Sequence, residues 1–196
     1  FESHSGFREA FARVFDAPPG SAPEGRCVFM TSFESPLGRL LAAATSKGIC
    51  LLGFHDRRAL DESLQFLKEC FDLPVLPGTN PHLDQLRTEL GRYFEGGRDG
   101  FQVAIDPHGT TFQKKVWAEL RRVAFGETIS YQTLAMRIEQ PTAMRAVARA
   151  NGDNRIAIVV PCHRVIGKDG TLTGYAGGLW RKRLLLELER SGKLPG

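Results

Sequence analysis

A single cysteine in the second half of the chain lies where a reactive thiol could be held in place. Cys162 follows Pro161 and a run of five apolar residues at 156–160. Such a run predicts a short buried strand, which the proline ends because it has no N–H group for a ladder. His163 and Arg164 come next, and a basic neighbour can lower the pKa of a thiol from its ordinary value of ~8.5. The pattern fits a nucleophile, although a small core cysteine would look the same.

A nucleophilic thiol needs a group that accepts its proton, and His163 is the nearest in sequence. Adjacent side chains of an extended segment point apart, so contact between the two residues requires a bend or a bridging water. A third group should orient the histidine. The helix predicted at 179–191 offers two carboxylates, Glu187 and Glu189. They lie about 200° apart around the helix axis, so only one of them can face inward.

The residues before the cysteine have the pattern of a helix-turn-helix. Apolar spacing predicts helices at 112–123, 131–138 and 141–152. Ser130 is suited to cap the second helix, and an Asn-Gly pair ends the third. The last two helices are short and separated by two residues, which is typical of a helix-turn-helix unit that reads DNA.

Two arginines share one face of the third predicted helix. Arg145 and Arg149 are four residues apart, so they lie side by side, and we expect Met144, Val147 and Ala148 to cover the packed face. The exposed arginines fit either a nucleic-acid partner or a solvated basic face.

Charge is divided unevenly along the chain. Residues 107–196 hold 15 Lys and Arg against 7 Asp and Glu, a net charge of +8, whereas residues 1–106 hold 11 against 15, a net charge of −4. A basic half indicates a polyanionic partner, and a solubilising surface can produce the same split.

Cysteine usage and hydropathy favour a soluble cytoplasmic protein. No apolar run approaches the ~18 residues of a membrane span, and no signal peptide opens the chain. The four cysteines form no C-x-x-C pair and are too sparse for a disulfide scaffold, which suits a reducing compartment.

The first half of the chain predicts a small α+β domain at residues 24–106. Three closely spaced strands must pair antiparallel. Two helices and a final strand follow them. The predicted strands cover 27–33, 39–45, 49–54 and 101–105, and the predicted helices cover 60–71 and 83–94.

The segment at 161–166, Pro-Cys-His-Arg-Val-Ile, resembles the active-site signature of the O6-alkylguanine-DNA alkyltransferases. The likeness extends from Phe125 through Gln132 to Glu189 and covers almost all of residues 110–190. It implies an α/β (α+β) protein with a ribonuclease-H-like domain at 24–106 and a winged-helix-like helix-turn-helix alkyltransferase domain at 107–196. The implied reaction moves an alkyl group from O6 of guanine in duplex DNA to Cys162, once per protein, after base flipping and without a cofactor. O4 of thymine is a second candidate substrate atom.

The resemblance also assigns roles to individual residues. It selects Glu189 over Glu187 as the partner of His163, and it makes Asn154 the brace of the active-site turn. Arg145 matches an arginine that fills the base stack, and Tyr131 matches a tyrosine that helps to rotate the base. Where some members have serine, this chain has Ala176, which removes one polar contact to O6. The DNA- and base-binding residues expected on this ground are Tyr131, Arg145, Arg149, Tyr175, Ala176, Gly177 and Gly178.

Residues 1–23 carry apolar residues at helical spacing before a Pro-Pro-Gly stop. This segment resembles the last recognition helix of an AraC-type module, as in bacterial adaptive-response regulators that are fused to an alkyltransferase. A helix that packs on the following domain fits the same pattern.

Two other functions fit part of the same sequence pattern, and the first domain contains residues of types that bind zinc. A cysteine hydrolase would use the same Cys, His and Glu, and a non-catalytic reader of alkylated DNA would share the fold but not the cysteine. Some relatives bind zinc in the first domain, yet the spacings here match no compact ligand set and Thr45 replaces one cysteine, so we expect no metal. The residues considered as zinc ligands are Cys27, Cys50, Cys70, His55 and His82. We further expect a monomer.

Overall fold

The computed structural model describes residues 27–55 and 57–195, without the side chains of 57–59. The helix predicted within residues 1–23 lies outside the described residues. The chain forms two compact units. The first holds the described residues up to Arg87 together with Val103–Asp106, and the second holds Thr88–Gln102 and the residues from Pro107 onward. The predicted mixed α/β class is confirmed, with a small sheet unit followed by a helical one.

The first unit is built on a four-stranded sheet in the order β3-β2-β1-β4. Strands β1, β2 and β3 pair antiparallel as predicted, and β4 adds in parallel to β1. All five residues of β2 are buried, which fits a central strand. The helix α1 buries Leu60, Leu64 and Leu67 against the sheet. The elements are β1 (Val28–Phe33), β2 (Leu40–Ala44), β3 (Ile49–Phe54), α1 (Arg57–Cys70), β4 (Val75–Pro77) and α2 (Pro81–Phe94), whose residues from Thr88 onward belong to the second unit.

The strand predicted at 101–105 is wrong. Within that segment, the structure has one isolated bridge, between Ile105 and Ile49. The backbone N–H of Gln102 donates instead to the Glu89 carboxylate at 3.1 Å, which keeps this part of the segment out of a ladder. A short apolar run cannot by itself distinguish these outcomes.

The second unit consists of short helices and one small parallel sheet. Ser130 caps α4 as predicted, because its hydroxyl accepts the N–H of Thr133 at 3.0 Å. The pair β5–β6 joins Ile129 to Val165, so the start of α4 lies beside the segment that follows Cys162. The elements are α3 (Thr111–Leu120), β5 (Ile129–Ser130), α4 (Tyr131–Arg137), α5 (Met144–Gly152), β6 (Val165–Ile166) and α6 (Leu179–Ser191).

The packed face of α5 differs from the prediction. Met144 and Ala148 are exposed, and the buried residues are Val147, Ala150 and Asn151. The helix begins at Met144 rather than at 141, which shifts the apolar stripe toward its end. The indole Nε1 of Trp117 on α3 donates to the carbonyl of Ala150 at 2.8 Å and fixes the two helices together.

The strand predicted at 156–160 is also wrong. These residues form consecutive turns, in which the N–H of Val160 donates to the carbonyl of Ile156 at 2.9 Å. Ile158 adopts a φ of 70°, which is rare for a β-branched residue. Four of the five residues are buried as expected and Ala157 is partly exposed, but the backbone closes on itself instead of extending as a strand. None of the described helices is long and apolar enough to cross a bilayer.

Candidate active site

Cys162 opens a single turn of 3-10 helix, Cys162–Arg164, directly after the buried turns. Its side chain is only 6 % exposed. The sulfur accepts a hydrogen bond from Nδ2 of Asn154 at 3.1 Å. Burial raises the pKa of the Cys162 thiol, while the Asn154 hydrogen bond and the charge of Lys182 act in the opposite direction. The site therefore holds a protonated thiol beside groups that favour its thiolate.

Asn154 organises the turns that carry the cysteine. Its Oδ1 accepts the N–H of Ile156 at 2.9 Å, and its Nδ2 donates to the carbonyl of Val160 at 2.8 Å as well as to the sulfur. One amide side chain thus spans both ends of the 156–160 segment. These bonds offset the cost of about 1–3 kcal/mol that a left-handed backbone such as that of Ile158 carries.

His163 is fully buried and is oriented by Glu189. Its Nε2 lies 2.8 Å from Oε1 of Glu189. Burial lowers the pKa of His163 even though the Glu189 carboxylate favours the charged form, so the imidazole is neutral. An ionised carboxylate only accepts hydrogen bonds, so Nε2 carries the proton and Nδ1 is the basic nitrogen. Nδ1 has no hydrogen-bond partner among the described residues. None of these residues forms a hydrogen-bonded bridge between the Cys162 sulfur and the imidazole ring.

Glu189 is held by five donors on four residues. Arg164 binds it bidentately, with Nε 2.8 Å from Oε2 and Nη2 2.9 Å from Oε1. Tyr93 Oη donates at 2.8 Å and the backbone N–H of Gly126 at 3.1 Å. Burial alone would raise the pKa of Glu189, but the hydrogen bonds from His163 and Arg164 and the charge of Arg164 outweigh it and hold that pKa well below its usual range. The carboxylate is therefore ionised at neutral pH.

The two carboxylates of α6 are separated as their spacing requires. Glu189 faces His163, whereas Glu187 forms a surface ion pair with Arg190 at 2.8 Å. Gly126, at φ 79°, lets the chain turn close to Glu189, because a Cβ there would lie 3.1 Å from the Glu189 carbonyl oxygen.

Lys182 is a site residue that the sequence reasoning missed. It is fully buried, and its Nζ donates to the carbonyls of Val165 at 2.6 Å and Thr173 at 2.7 Å. Burial lowers the pKa of Lys182, and proximity to Cys162 partly opposes that shift. The sequence held a signal for its inward position. Lys182 precedes Leu185 by three residues and Glu189 by seven, and this spacing puts all three on one helix face.

Tyr93 was missed as well, and no sequence signal could have found it. It lies on α2, 96 residues before Glu189, to which it donates its hydroxyl. Burial raises the pKa of the Tyr93 phenol well above its usual value, so the group remains a hydrogen-bond donor.

The glycine-rich loop at 174–178 borders the cysteine. The Tyr175 ring lies edge-on to His163, with 6.4 Å between ring centres. Gly178 N–H donates to the Tyr175 carbonyl at 2.9 Å, and Gly178, at φ 87°, is the N-cap residue of α6. The backbone carbonyl of Gly177 accepts a hydrogen bond from Nη1 of Arg181 at 3.0 Å. Ala176 is exposed. The loop is thus tied to α6 and adjoins the buried His163.

The expected DNA-binding residues lie outside the buried network. Tyr131 is the first residue of α4. Its hydroxyl accepts a hydrogen bond from Oγ1 of Thr173 at 3.3 Å, next to the glycine-rich loop. Arg145 and Arg149 are exposed on α5, and neither side chain forms a hydrogen bond or ion pair with another described residue. Among the described residues, no group of three or more His, Cys, Asp or Glu side chains could hold a metal ion.

Comparison with known proteins relates both units to one family. Residues 28–107 match the ribonuclease-like domain of 6-O-methylguanine DNA methyltransferase, and residues 111–191 match its DNA-binding domain. A methylated-DNA–protein-cysteine methyltransferase of Haemophilus influenzae is 38% identical over 164 residues, 83% of this chain and 87% of that protein.

Solved structures give the same result. The crystal structure of Mycobacterium tuberculosis OGT in complex with DNA has a TM-score of 0.73 at 38% identity and covers 85% of this chain and 95% of that one. An O6-methylguanine-DNA methyltransferase from Pyrococcus kodakaraensis has a TM-score of 0.64 at 26% identity, with 83% and 98% covered. This chain therefore belongs to the 6-O-methylguanine DNA methyltransferase family.

Proposed function

We propose that the protein repairs DNA by transferring an alkyl group from O6 of guanine to the sulfur of Cys162, with no cofactor. The observation that carries this proposal is the buried sulfur, held by Asn154 next to a neutral His163 that is paired with Glu189. This arrangement supplies a thiol, a base and an orienting carboxylate, the three parts of an activated nucleophile. O4 of thymine is a second candidate for the same displacement.

The proposed first step is removal of the thiol proton. Nδ1 of His163 accepts it through one bridging water, and the Glu189 carboxylate stabilises the imidazolium that forms. Asn154 and the Lys182 ammonium favour the thiolate, because the first donates to the sulfur and the second brings a positive charge near it. The sulfur then attacks the alkyl carbon, an S–C bond forms, the C–O6 bond breaks and its electron pair stays on guanine, which takes up a proton.

The reaction requires the guanine to leave the helix. O6 lies within the base stack, so the nucleotide must be flipped out at a cost of a few kcal/mol. We propose that Arg145 fills the gap and that Arg149, on the same exposed face, contacts the DNA backbone. Tyr131 and the loop from Tyr175 through Ala176 to Gly178 would then receive the base next to Cys162.

Replacing Arg145 with alanine should slow repair of duplex DNA at least tenfold more than reaction with free O6-benzylguanine. Only the duplex requires base extrusion, so only there is a side chain needed to fill the stack. Single-turnover rates on both substrates would be compared. Arg121→Ala, which removes an exposed arginine at the end of α3, is the control for loss of one charge. Equal losses on both substrates would exclude this role of Arg145.

The decisive experiment for the proposed function is a turnover count. A thioether has no carbonyl through which water could regenerate the thiol, so product should reach one equivalent per chain and stop. Excess methylated oligonucleotide would be added, and mass spectrometry of peptides should place the methyl group on Cys162. Repeated turnover with an intact thiol would favour a cysteine hydrolase, and binding without methyl transfer would favour a non-catalytic reader.

We further propose that the protein acts on duplex DNA as a monomer in the cytoplasm. The four cysteines are all free within the described residues, and a reducing compartment preserves the thiol that the reaction consumes. The assignment of 24–106 and 107–196 as separate domains, and of 1–23 as the end of a larger regulator or as a packing helix, stays a prediction.

A further inference from the structure

Trp180, the second residue of α6, is exposed over 53 % of its surface. This is unusual, because tryptophan is highly buried on average. The other tryptophan of the chain, Trp117, is buried. Trp180 lies within residues 111–191, the part of the chain that matches a DNA-binding domain. A large aromatic ring left in solvent in such a region is available for stacking on a nucleic-acid base.

The ring of Trp180 is attached to the loop that borders the nucleophile. It lies so close to Gly178 that a Cβ at this glycine would be 3.3 Å from Cδ1 of the indole. Gly178 is in turn bonded to Tyr175, whose ring lies edge-on to His163. Trp180 therefore lies against the loop that borders the alkyl-acceptor site.

The surroundings of Trp180 are positively charged. The guanidinium carbon of Arg181 lies 4.4 Å from the centre of the Trp180 ring, and Nη1 of Arg181 donates to the carbonyl of Gly177. Arg183 is exposed on the same turn, and the first turn of α6 holds no acidic residue. An aromatic ring surrounded by cations suits a nucleotide, which offers a flat base or sugar next to a phosphate.

We infer that Trp180 is a stacking contact for DNA at the edge of the alkyl-acceptor site, with Arg181 holding its ring in place. The occupant is a nucleotide of the strand that carries the alkylated guanine. This inference rests on the proposed function, because it assumes that DNA approaches Cys162. It adds an aromatic contact to the arginines of α5, on a different helix of the same unit.

Intrinsic fluorescence provides a direct test, since the chain has two tryptophans and one of them is buried. An unmodified duplex oligonucleotide should quench the emission of the wild-type protein. The same titration with Trp180→Phe should show little change, because Trp117 is buried. An equal change in both proteins would overturn the inference.

Binding and reactivity complete the test. Trp180→Ala should weaken duplex affinity about tenfold, which corresponds to the loss of one stacking contact, whereas Trp180→Phe keeps a ring and should bind nearly as the wild type does. The dependence of affinity on salt should stay the same, because no charge is removed. The rate with free O6-benzylguanine should not change, which verifies that the variant is folded and that Cys162 is active.

Other outcomes would overturn the stacking role. An alanine variant that binds duplex normally, or that reacts equally slowly with the free base, would make Trp180 a structural residue. Emission that changes with protein concentration alone, and not with DNA, would assign the ring to a second copy of the chain. A wild-type protein that is quenched by DNA but transfers no methyl group would disprove the proposed function and leave the contact standing.

Discussion

The variant Cys162→Ala should transfer no alkyl group and should still bind duplex DNA with nearly wild-type affinity. Transfer is lost because the methyl group needs a thiolate to bond to. Binding survives because affinity for DNA comes mainly from phosphate contacts by basic side chains, which the substitution does not touch. Radiolabelled or mass-tagged oligonucleotide would measure transfer, and fluorescence anisotropy would measure binding.

The other cysteines should not substitute for the missing thiol. Burial and the nearby charge of Asp106 raise the pKa of Cys50 to about 12, and burial also raises the pKa of Cys27. Both lack the Asn154 hydrogen bond that the Cys162 sulfur receives. The variant Cys70→Ala is the matched control, and it should transfer at the wild-type rate. Residual transfer by the Cys162→Ala variant at a comparable rate would contradict the assignment of the nucleophile.

The second large effect is expected at Glu189. Glu189→Gln removes the charge that faces Arg164 and His163 and turns an amide N–H₂ toward groups that are themselves donors. Breaking a buried ion pair in this way costs about 3–5 kcal/mol. We expect a loss of this size in the free energy of unfolding, together with a slower transfer rate, since the imidazolium loses its partner. Urea unfolding and single-turnover kinetics measure the two effects.

Glu187→Gln is the matched control on the same helix. Its carboxylate pairs with Arg190 at the surface, where an ion pair contributes about 0–1 kcal/mol. Stability and rate should therefore stay close to those of the wild type. If both variants behaved alike, the buried network around Glu189 would have no part in activating the thiol.

The same network fixes the pH dependence of stability. The pKa of His163 is lowered from 6.5 by burial, so the fold favours its neutral form, and stability is lost as pH falls below that value. Burial opposes ionisation of Glu189, but the hydrogen bonds from His163 and Arg164 and the charge of Arg164 lower its pKa from 4.5, so a second loss begins below 4.5. The Glu189→Gln variant should lack this second, acidic loss in a series of unfolding curves.

Local pattern was sufficient for most elements and for part of the site. Alternation and turn residues predict β1 to β3. Helical spacing shows that only one of the two carboxylates of α6 can face inward, and the family resemblance selects Glu189. The same evidence failed at 156–160, because a buried apolar run carries no information on whether a neighbouring strand exists. The turn there depends on the side-chain bonds of Asn154. Tyr93 could not be found, because only the folded chain brings it to Glu189.

The separation between Tyr93 and Glu189 has a consequence for folding. The bonds to Glu189 join positions that are 96, 63 and 25 residues away. Contacts of long sequence separation bear a large loop-closure entropy and form after local helices. A partly folded chain therefore lacks the Glu189–His163 pair, and its Cys162 has no oriented base to accept the thiol proton. In a protein that we propose reacts only once, this order of assembly ties activation of the thiol by its base to completion of the fold, when the base-binding loop is in place as well.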